Sequence, residues 1–477
     1  VNKLYKELGQ YQEKNIYPFH MPGHKRNPSC MGMHLPVELD ITEITGFDDL
    51  HHPSGMILEA ERRTARLFSA QESFFSVNGS TAAILAAISA CTKRGDRVLV
   101  ARNCHKSVYH ALYLRGLRPM YIYPNDYPGM TLNGGISANK VGRILEENPD
   151  IRAVIIASPT YDGIVSDVER IAYAAHSQDI PLIVDEAHGA HFVFSNYFPD
   201  SAISLGGDIV IQSAHKTLPS LTQTAFLHVC SDRVDPERVR WFMNVYETSS
   251  PSYILMSSLD SCVDKLASSG KDMFRRFTRD LEEARRQLAA GRHIRLVTPS
   301  HEEDERIFDF DRSKLILSTR DSSLTGPALH RILYDEFQIE IEMEGPDYVL
   351  AMASVGDTRE GFDRLCEAIE TIDEREEEND PAEKSEPESP TGEKKKMLEM
   401  EDAIESSKET CLLEESIGRV AADFVYLYPP ATPILVPGEL ITGPVIRALR
   451  QYKELQLCVT GLWGEDGDSI RTVADGD

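Results

Sequence analysis

The sequence predicts an α/β protein whose larger part is built on a mostly parallel sheet, with a smaller α/β region following it. Three observations carry this reading. Between about residues 60 and 255, short β-rich runs alternate with helical runs. The β-rich runs are continuously apolar rather than alternating, as in strands covered on both faces. Ionisable residues gather where these runs end, the edge at which open parallel sheets bind ligands.

Each element follows in chain order. Residues 1–60 are rich in His, Pro and Gly, and the run FHMPGHKRNP (19–28) contains Pro22 and Gly23, so it reads as an N-terminal arm or loop segment. Residues 61–259 form the large domain. Its strands are expected at SFFSV (73–77), RVLVA (97–101), MYIYP (120–124), AVIIAS (153–158), PLIVDEA (181–187), DIVIQS (208–213) and TAFLHV (224–229). Its helices include STAAILAAISACTK (80–93) and HKSVYHALYLRG (105–116). Residues 260–372 form a small α/β domain, with helical periodicity over 271–289 and a strand at KLILST (314–319). Residues 373–398 carry almost no apolar side chains and read as an acidic, solvated linker without regular structure. A C-terminal segment, 399–477, opens with a helix near 399–423 and continues through YLYPPATPILVPGELIT (426–442).

Composition bounds the function. A chain of 477 residues exceeds one ordinary core, and 41% hydrophobic content is enough to bury several. The formal net charge of −26, concentrated partly in Asp373–Glu388, argues against a nucleic-acid partner and is compatible with a cationic substrate. The eight cysteines include no CxxC pair, so neither a zinc site nor a disulfide framework is expected and a reducing cytoplasm fits. The first fifteen residues lack the apolar run of a signal peptide, and the most apolar helical stretch, Ala82–Cys91, is too short to span a bilayer. No membrane association is expected.

Four strand ends carry candidate chemistry. Lys216, in SAHK after a strand, is a surface lysine or a desolvated amine able to form an imine. In VDEAHGAH (184–191), Asp185 could meet a metal, a ribose or a ring nitrogen, and His188 and His191 could join it around a metal. The DEAH run resembles a helicase motif, but the chain has no GxxxxGK[ST] loop, which removes the nucleotide-hydrolase reading. In SVNGSTAAI (76–84), Gly79, Ser80 and Thr81 form either an ordinary N-cap or a phosphate cradle at a helix N-terminus. His105, in RNCHKSV (102–108), stacks on a planar ring or caps the helix after it. Taken together, a phosphate cradle, a ring stacker, an acid and a lysine in this order are the groups that pyridoxal 5'-phosphate requires. They would bind its phosphate, flank its ring, hold a proton on its ring nitrogen and bond to its aldehyde carbon.

The sequence then resembles the Orn/Lys/Arg decarboxylase family of fold-type I pyridoxal-phosphate enzymes, in its shorter bacterial form. The resemblance rests on FHMPGHK, DITEITGFDDLHHP, NGSTAAI, RNCHKSV, SPTYDG, VDEAHGAHF, SAHKTLPSLTQ, SPSYILMSSLD and VPGE. It implies a fold-type I transferase-like large domain and decarboxylation of arginine, lysine or ornithine. It implies that Lys216 holds the cofactor, Asp185 pairs with the ring nitrogen, His105 stacks on the ring and His188 lies near the ring hydroxyl. Gly79, Ser80, Ser213 and His215 would hold the phosphate, with Thr81 nearby. Glu439 would meet the cationic end of the substrate, and His188, His215 and Lys216 are candidates to return a proton to the substrate carbon. The resemblance also implies a homo-oligomer, at least a dimer, in which residues 249–253 reach the partner's phosphate. An aminotransferase or lyase of the same fold, or a non-catalytic paralogue, are the competing readings. The chain departs from the family at Pro429-Pro430-Ala431-Thr432-Pro433, where Ala431 replaces a usual glycine, and at Ala82-Ala83 after NGST, where a glycine is common.

Overall fold

The computed structural model describes residues 16–20, 23–25, 27–31, 41–44, 46–127, 130, 132–299, 307–376, 392–429 and 431–474. Its centre is a seven-stranded sheet. The strands, in chain order, are β1 (Glu72–Ser76), β2 (Arg97–Ala101), β3 (Arg118–Ile122), β4 (Ile151–Ala157), β5 (Leu182–Asp185), β6 (Ile209–Gln212) and β7 (Ala225–Val229). They lie in the order β1-β7-β6-β5-β4-β2-β3. All neighbours pair in parallel except β7, which runs antiparallel to both β1 and β6. β7 reverses because only a short loop and one helical turn, Ala214–Thr217, join it to β6, with no crossover helix to carry the chain back.

β2 and β4–β7 are buried along almost their whole length, as their unbroken apolar runs predict. Helix α1 (Gly79–Cys91) follows β1; Ala82 and Ala83, at the departure noted above, are both buried, Ala83 in the same core as Val98–Ala101. Helix α2 (Lys106–Arg115) follows β2.

Several domain edges differ from the expected ones. The helix Met56–Phe68 starts before residue 60, so it belongs with the large domain rather than the arm. Within the arm, Tyr17–Phe19 pairs in parallel with Ile339–Ile341 of the small domain. A single 36-residue helix, Tyr253–Leu288, crosses the expected boundary at 259/260 and joins the two domains. The small domain is an antiparallel sheet ordered Arg295–Val297, Lys314–Ser318, Tyr348–Met352, Met343–Glu344.

The middle of the expected linker, residues 377–391, lies outside the described residues. Both its flanks are ordered. The helix Arg359–Glu376 runs through the first four positions, where the Asp373 carboxylate accepts the backbone N–H groups of Arg292 (3.0 Å), His293 (2.7 Å) and Ile294 (2.6 Å). At the other flank, Lys394 donates its backbone N–H to the Tyr123 hydroxyl at 3.0 Å and Lys396 Nζ donates to Pro119 O at 3.0 Å. A run of charge reads as solvated when its backbone partners are distant in sequence.

The C-terminal segment has its own core, including Leu413, Val425, Leu435, Ile446 and Leu449. The helix expected near 399–423 stops at Glu405. Lys408–Leu412 is instead a strand paired antiparallel with Ser469–Val473. That pairing joins residues some sixty apart, which local periodicity does not register.

One ion pair clasps this segment to the large domain. Arg102, just after β2, donates from Nε and Nη2 to the two Glu439 carboxylate oxygens at 2.8 and 2.9 Å. Arg102 Nη1 also donates to Pro433 O at 2.7 Å, and Val436 N donates to Glu439 Oε2 at 2.9 Å. The two side chains are 4% and 1% exposed. Glu439 was expected to face the substrate. Its carboxylate is committed to Arg102 instead, because that fully desolvated guanidinium requires a bidentate counter-charge. Beside the clasp, Ala431 adopts φ +62° and is buried. That is the left-handed region, where a Cβ costs roughly 1–2 kcal/mol.

Two outcomes follow for stability. Glu439→Gln should lower folding stability by about 3 kcal/mol, since it leaves a buried guanidinium without a counter-charge, while Arg102→Met combined with Glu439→Leu should lose less. Denaturant titration of the three proteins checks this; equal losses would refute the clasp. Ala431→Gly should raise folding stability by about 1 kcal/mol, read as a higher denaturation midpoint, and a fall would show that the alanine is unstrained.

Candidate active site

The carboxyl ends of β1, β2, β4, β5 and β6 bring the candidate residues to one edge of the sheet. β5 ends on Asp185, which is 6% exposed and accepts the Ala187 backbone N–H at 3.1 Å. β6 leads into Ser213 and the turn Ala214–Thr217, which carries His215 and Lys216. Lys216 is therefore not a surface lysine. Burial pulls its ammonium below the usual lysine range, opposed by the charges of Asp185 and Glu342. Burial likewise pushes the Asp185 carboxyl up, and the nearby Lys216 opposes that shift. The two come from adjacent parallel strands: Asp185 is in register with Ile211, and Lys216 lies on the turn that follows the Ile211 strand.

His188 sits between two lysines. Its Nε2 is 2.9 Å from Lys216 Nζ and its Nδ1 is 3.1 Å from Lys314 Nζ. Burial, then the charges of Lys216 and Lys314, hold its imidazole far below the ordinary histidine range. Tyr161, in the loop after β4, packs on it with ring centroids 4.6 Å apart. The other residues of VDEAHGAH turn away. Glu186 accepts from Ser201 Oγ, Gln212 Nε2 and Ala202 N, and His191 Nε2 meets Asp311 Oδ1 at 3.1 Å. No group of three or more His, Cys, Asp or Glu among the described residues is placed to hold a metal ion.

His105 resolves toward the cap. Its Nδ1 accepts from the Ser107 backbone N–H at 3.2 Å and lies 2.8 Å from Ser107 Oγ, which fixes the ring at the start of α2. Burial, and then Lys216, push it down to about 3. The ring is neutral, as a partner for a cationic heterocycle should be.

The residues expected to cradle a phosphate lie at the start of α1 and on the turn after β6. Gly79 has φ +74°, and a Cβ there would meet only Gln223 O, at 4.0 Å. Its N–H, however, already donates to Gln223 O at 2.9 Å, so Gly79 supplies clearance rather than a donor. The N-cap of α1 is Asn78, which makes no side-chain cap, so the ordinary capping role expected for Ser80 or Thr81 is not used. Ser80 is half-buried and Thr81 exposed. His215 donates from Nδ1 to Thr224 O at 2.8 Å, and burial pushes it down to about 4. The neutral ring then presents a bare Nε2, which accepts and does not donate.

The fit of these residues to pyridoxal phosphate is tested by an orphaned atom. Ser213 Oγ is fully buried and has no hydrogen-bond partner, and neither has Thr217 Oγ1 one turn later. Buried hydroxyls are rarely left unpaired. An anionic oxygen beside the lysine turn would satisfy Ser213. With an amine at Lys216, a carboxylate at Asp185 and the gap over Gly79, the residues present fit the cofactor.

Four further residues belong to this site that sequence reasoning passed over: Lys25, Tyr161, Lys314 and Glu342. Lys25 Nζ is buried and donates to His20 O (2.8 Å) and Met352 O (2.5 Å). Tyr161 donates its hydroxyl to Glu342. Lys314 is fully buried, although it opens a strand, where a lysine ordinarily faces solvent. Its stem passes over Gly163 (φ +103°), where a Cβ would lie 2.6 Å from Lys314 Cγ. The glycine in SPTYDG was the one local signal, and it does not name its partner.

Comparison with known proteins agrees with this geometry. A family profile described as Orn/Lys/Arg decarboxylase, major domain, matches residues 2–316, and one described as Orn/Lys/Arg decarboxylase, C-terminal domain, matches residues 388–463. An arginine decarboxylase of Bacillus anthracis is 33% identical over 471 residues, covering 96% of this chain and 94% of the relative. An arginine decarboxylase of Bacillus subtilis is 33% identical over 485 residues, covering 99% and 98%. Among solved structures, the Francisella novicida lysine decarboxylase LdcF superposes with a TM-score of 0.78 at 19% identity, over 92% of this chain and 74% of that one. A ureidoglycine–glyoxylate aminotransferase of Bacillus subtilis has a TM-score of 0.53 at 14% identity, over 69% of this chain and 87% of that one, and shares the fold alone. The chain belongs to the Orn/Lys/Arg decarboxylase family: it is an amino-acid decarboxylase that works with pyridoxal phosphate on a basic amino acid.

Proposed function

We propose that the substrate is arginine, that the products are agmatine and CO2, and that Lys216, Asp185, His188, His105, Ser213 and Ser80 form the site. The observation that carries the residue roles is the placement of half-buried Lys216 on the turn after β6, beside the parallel strand β5 that ends on Asp185. Arginine is favoured because relatives named arginine decarboxylase are 33% identical over nearly the whole chain, whereas the Escherichia coli constitutive lysine decarboxylase is 23% identical.

Bound here, pyridoxal phosphate supplies an electron sink for the pair left behind when the carboxylate departs. The protein does the rest. Ser213 Oγ and the first turn of α1 at Ser80 take the phosphate oxygens, with Gly79 leaving room for them. Asp185 keeps a proton on the ring nitrogen. The His105 ring lies against one face, fixed by its Ser107 cap. Lys216 would be the residue that holds the cofactor through its aldehyde carbon. His188, in contact with Lys216 Nζ, is the group placed to hold a proton at Nε2, and His188 and Lys216 are positioned to return one to the substrate carbon. Exclusion of water keeps these charges strong.

The working unit in this proposal is a homodimer in a reducing cytoplasm. Ser249 and Ser250 are exposed and stand ready to reach a second copy's phosphate, and all eight cysteines are unpaired. No helix among the described residues is long and apolar enough to cross a membrane.

The first test is CO2 release from arginine, lysine and ornithine with pyridoxal phosphate added. Arginine should be preferred; equal or greater release from lysine or ornithine would refute that choice, and a keto-acid product would refute decarboxylation. Borohydride reduction should place the cofactor label on Lys216. Lys216→Ala should lose the label and its turnover, and Asp185→Asn should lose roughly a hundredfold or more in kcat, the scale of removing one charge-stabilising group. Near-normal kcat in Asp185→Asn would remove Asp185 from the ring nitrogen.

A further inference from the structure

His188 has an amine at each ring nitrogen, and this imposes a proton count. An ammonium has three N–H donors and no acceptor, and a neutral imidazole has one N–H and one lone pair. With the ring neutral, only one of Lys216 and Lys314 can be an ammonium, donating to the bare nitrogen. The other must be a free amine, accepting the ring N–H. The triad Lys216–His188–Lys314 therefore holds at most one excess proton, with two lysines that can keep it.

We propose that Lys314 is the proton reservoir of the site, taking through His188 the proton that Lys216 must shed before its amine can attack. In the exchange, Lys216 Nζ gives a proton to His188 Nε2 while His188 Nδ1–H passes to Lys314 Nζ. Charge is conserved, and the ring changes tautomer without turning. The freed Lys216 amine then bonds to a carbonyl carbon, whose oxygen leaves as water. This rests on the reading of Lys216 as the cofactor lysine.

The surroundings favour storage on Lys314. Asp311 lies on the turn before Lys314 and accepts the Lys314 N–H on its backbone carbonyl at 3.0 Å, and its carboxylate is the main charge favouring a proton on Lys314. His191 and Lys314 keep Asp311 below the usual carboxylate range against its burial. Asp185, the counter-charge of Lys216, is pushed up by burial, so it ionises less readily and is a weaker counter-charge for the Lys216 ammonium. Glu342 pulls on both lysines, Lys25 repels Lys314 from the N-terminal segment, and Asp162 faces it from the loop after β4. Burial brings Lys314 to about 8, close enough to neutrality for it to exchange a proton. Lys314 acts through His188, so it is a positioning residue.

Two measurements test this. The first mixes the cofactor-free full chain with pyridoxal phosphate across a pH series and follows the absorbance change as Lys216 reacts. Without the reservoir, Lys216 keeps its own proton. In Lys314→Met the pH midpoint of the capture rate should rise by about one unit, which is about tenfold slower at any pH below both midpoints. An unchanged midpoint, whatever happens to the amplitude, overturns the proposal. The second uses the wild-type chain and so does not depend on the variant folding. Nitrogen-15 NMR of the cofactor-free protein, with His188 assigned by His188→Gln, should show His188 protonated at Nε2 and bare at Nδ1. A proton on Nδ1 instead overturns it. Should borohydride label a residue other than Lys216, the reading of the cofactor lysine falls, while the tautomer still reports on the triad.

Discussion

Everything at this site depends on keeping one lysine amine out of water. An exposed lysine is protonated near neutral pH and inert toward a carbonyl, and desolvation alone moves the balance toward the free amine. The fold achieves this by ending β6 beneath the surface and closing the next turn from three sides. The segment at Gly23 presses on the turn, with Gly23 N donating to His215 O at 2.5 Å. His188 comes from β5, and Lys314 arrives from the small domain. A Cβ on Gly23 would lie 2.8 Å from Leu218 N, so this close approach admits no side chain.

Burying an amine makes its charge state a shared property of its neighbours. Asp185 and Glu342 favour the ammonium, and burial disfavours it. His188 connects that balance to Lys314, whose own counter-charges lie in the small domain. The two domains are therefore coupled electrostatically as well as through the continuous helix Tyr253–Leu288. A shift of the small domain would alter which lysine holds the proton, because Lys314 and Asp311 would move while Asp185 and Lys216 stayed with the large sheet.

The C-terminal segment contributes differently. Arg102 lies three residues before His105, and its guanidinium is gripped by Glu439 and by the carbonyls of Pro433 and Ile434. Lys106 N also donates to Ala431 O at 3.3 Å. The loop that holds the His105 ring is thus braced from outside the large domain. The Arg102–Glu439 pair is buried and bidentate, which fixes the geometry of this brace more than it adds stability.

By itself the sequence determined the alternation of buried strands and helices, the strand ends that carry Asp185, Lys216, His105 and Gly79, and the family to which they belong. Those features are local, since a continuous apolar run, a glycine before a helix or a lysine after a strand is written in a few adjacent residues. It did not determine the site's second half. Lys314 and Glu342 come from the small domain and Lys25 from the arm, and only packing brings them to His188. Nor did it determine the fate of Glu439, because nothing near position 439 announces a guanidinium 337 residues away. Tertiary structure decided these points for one physical reason: a buried charge is defined by its partners, and here the partners lie far along the chain.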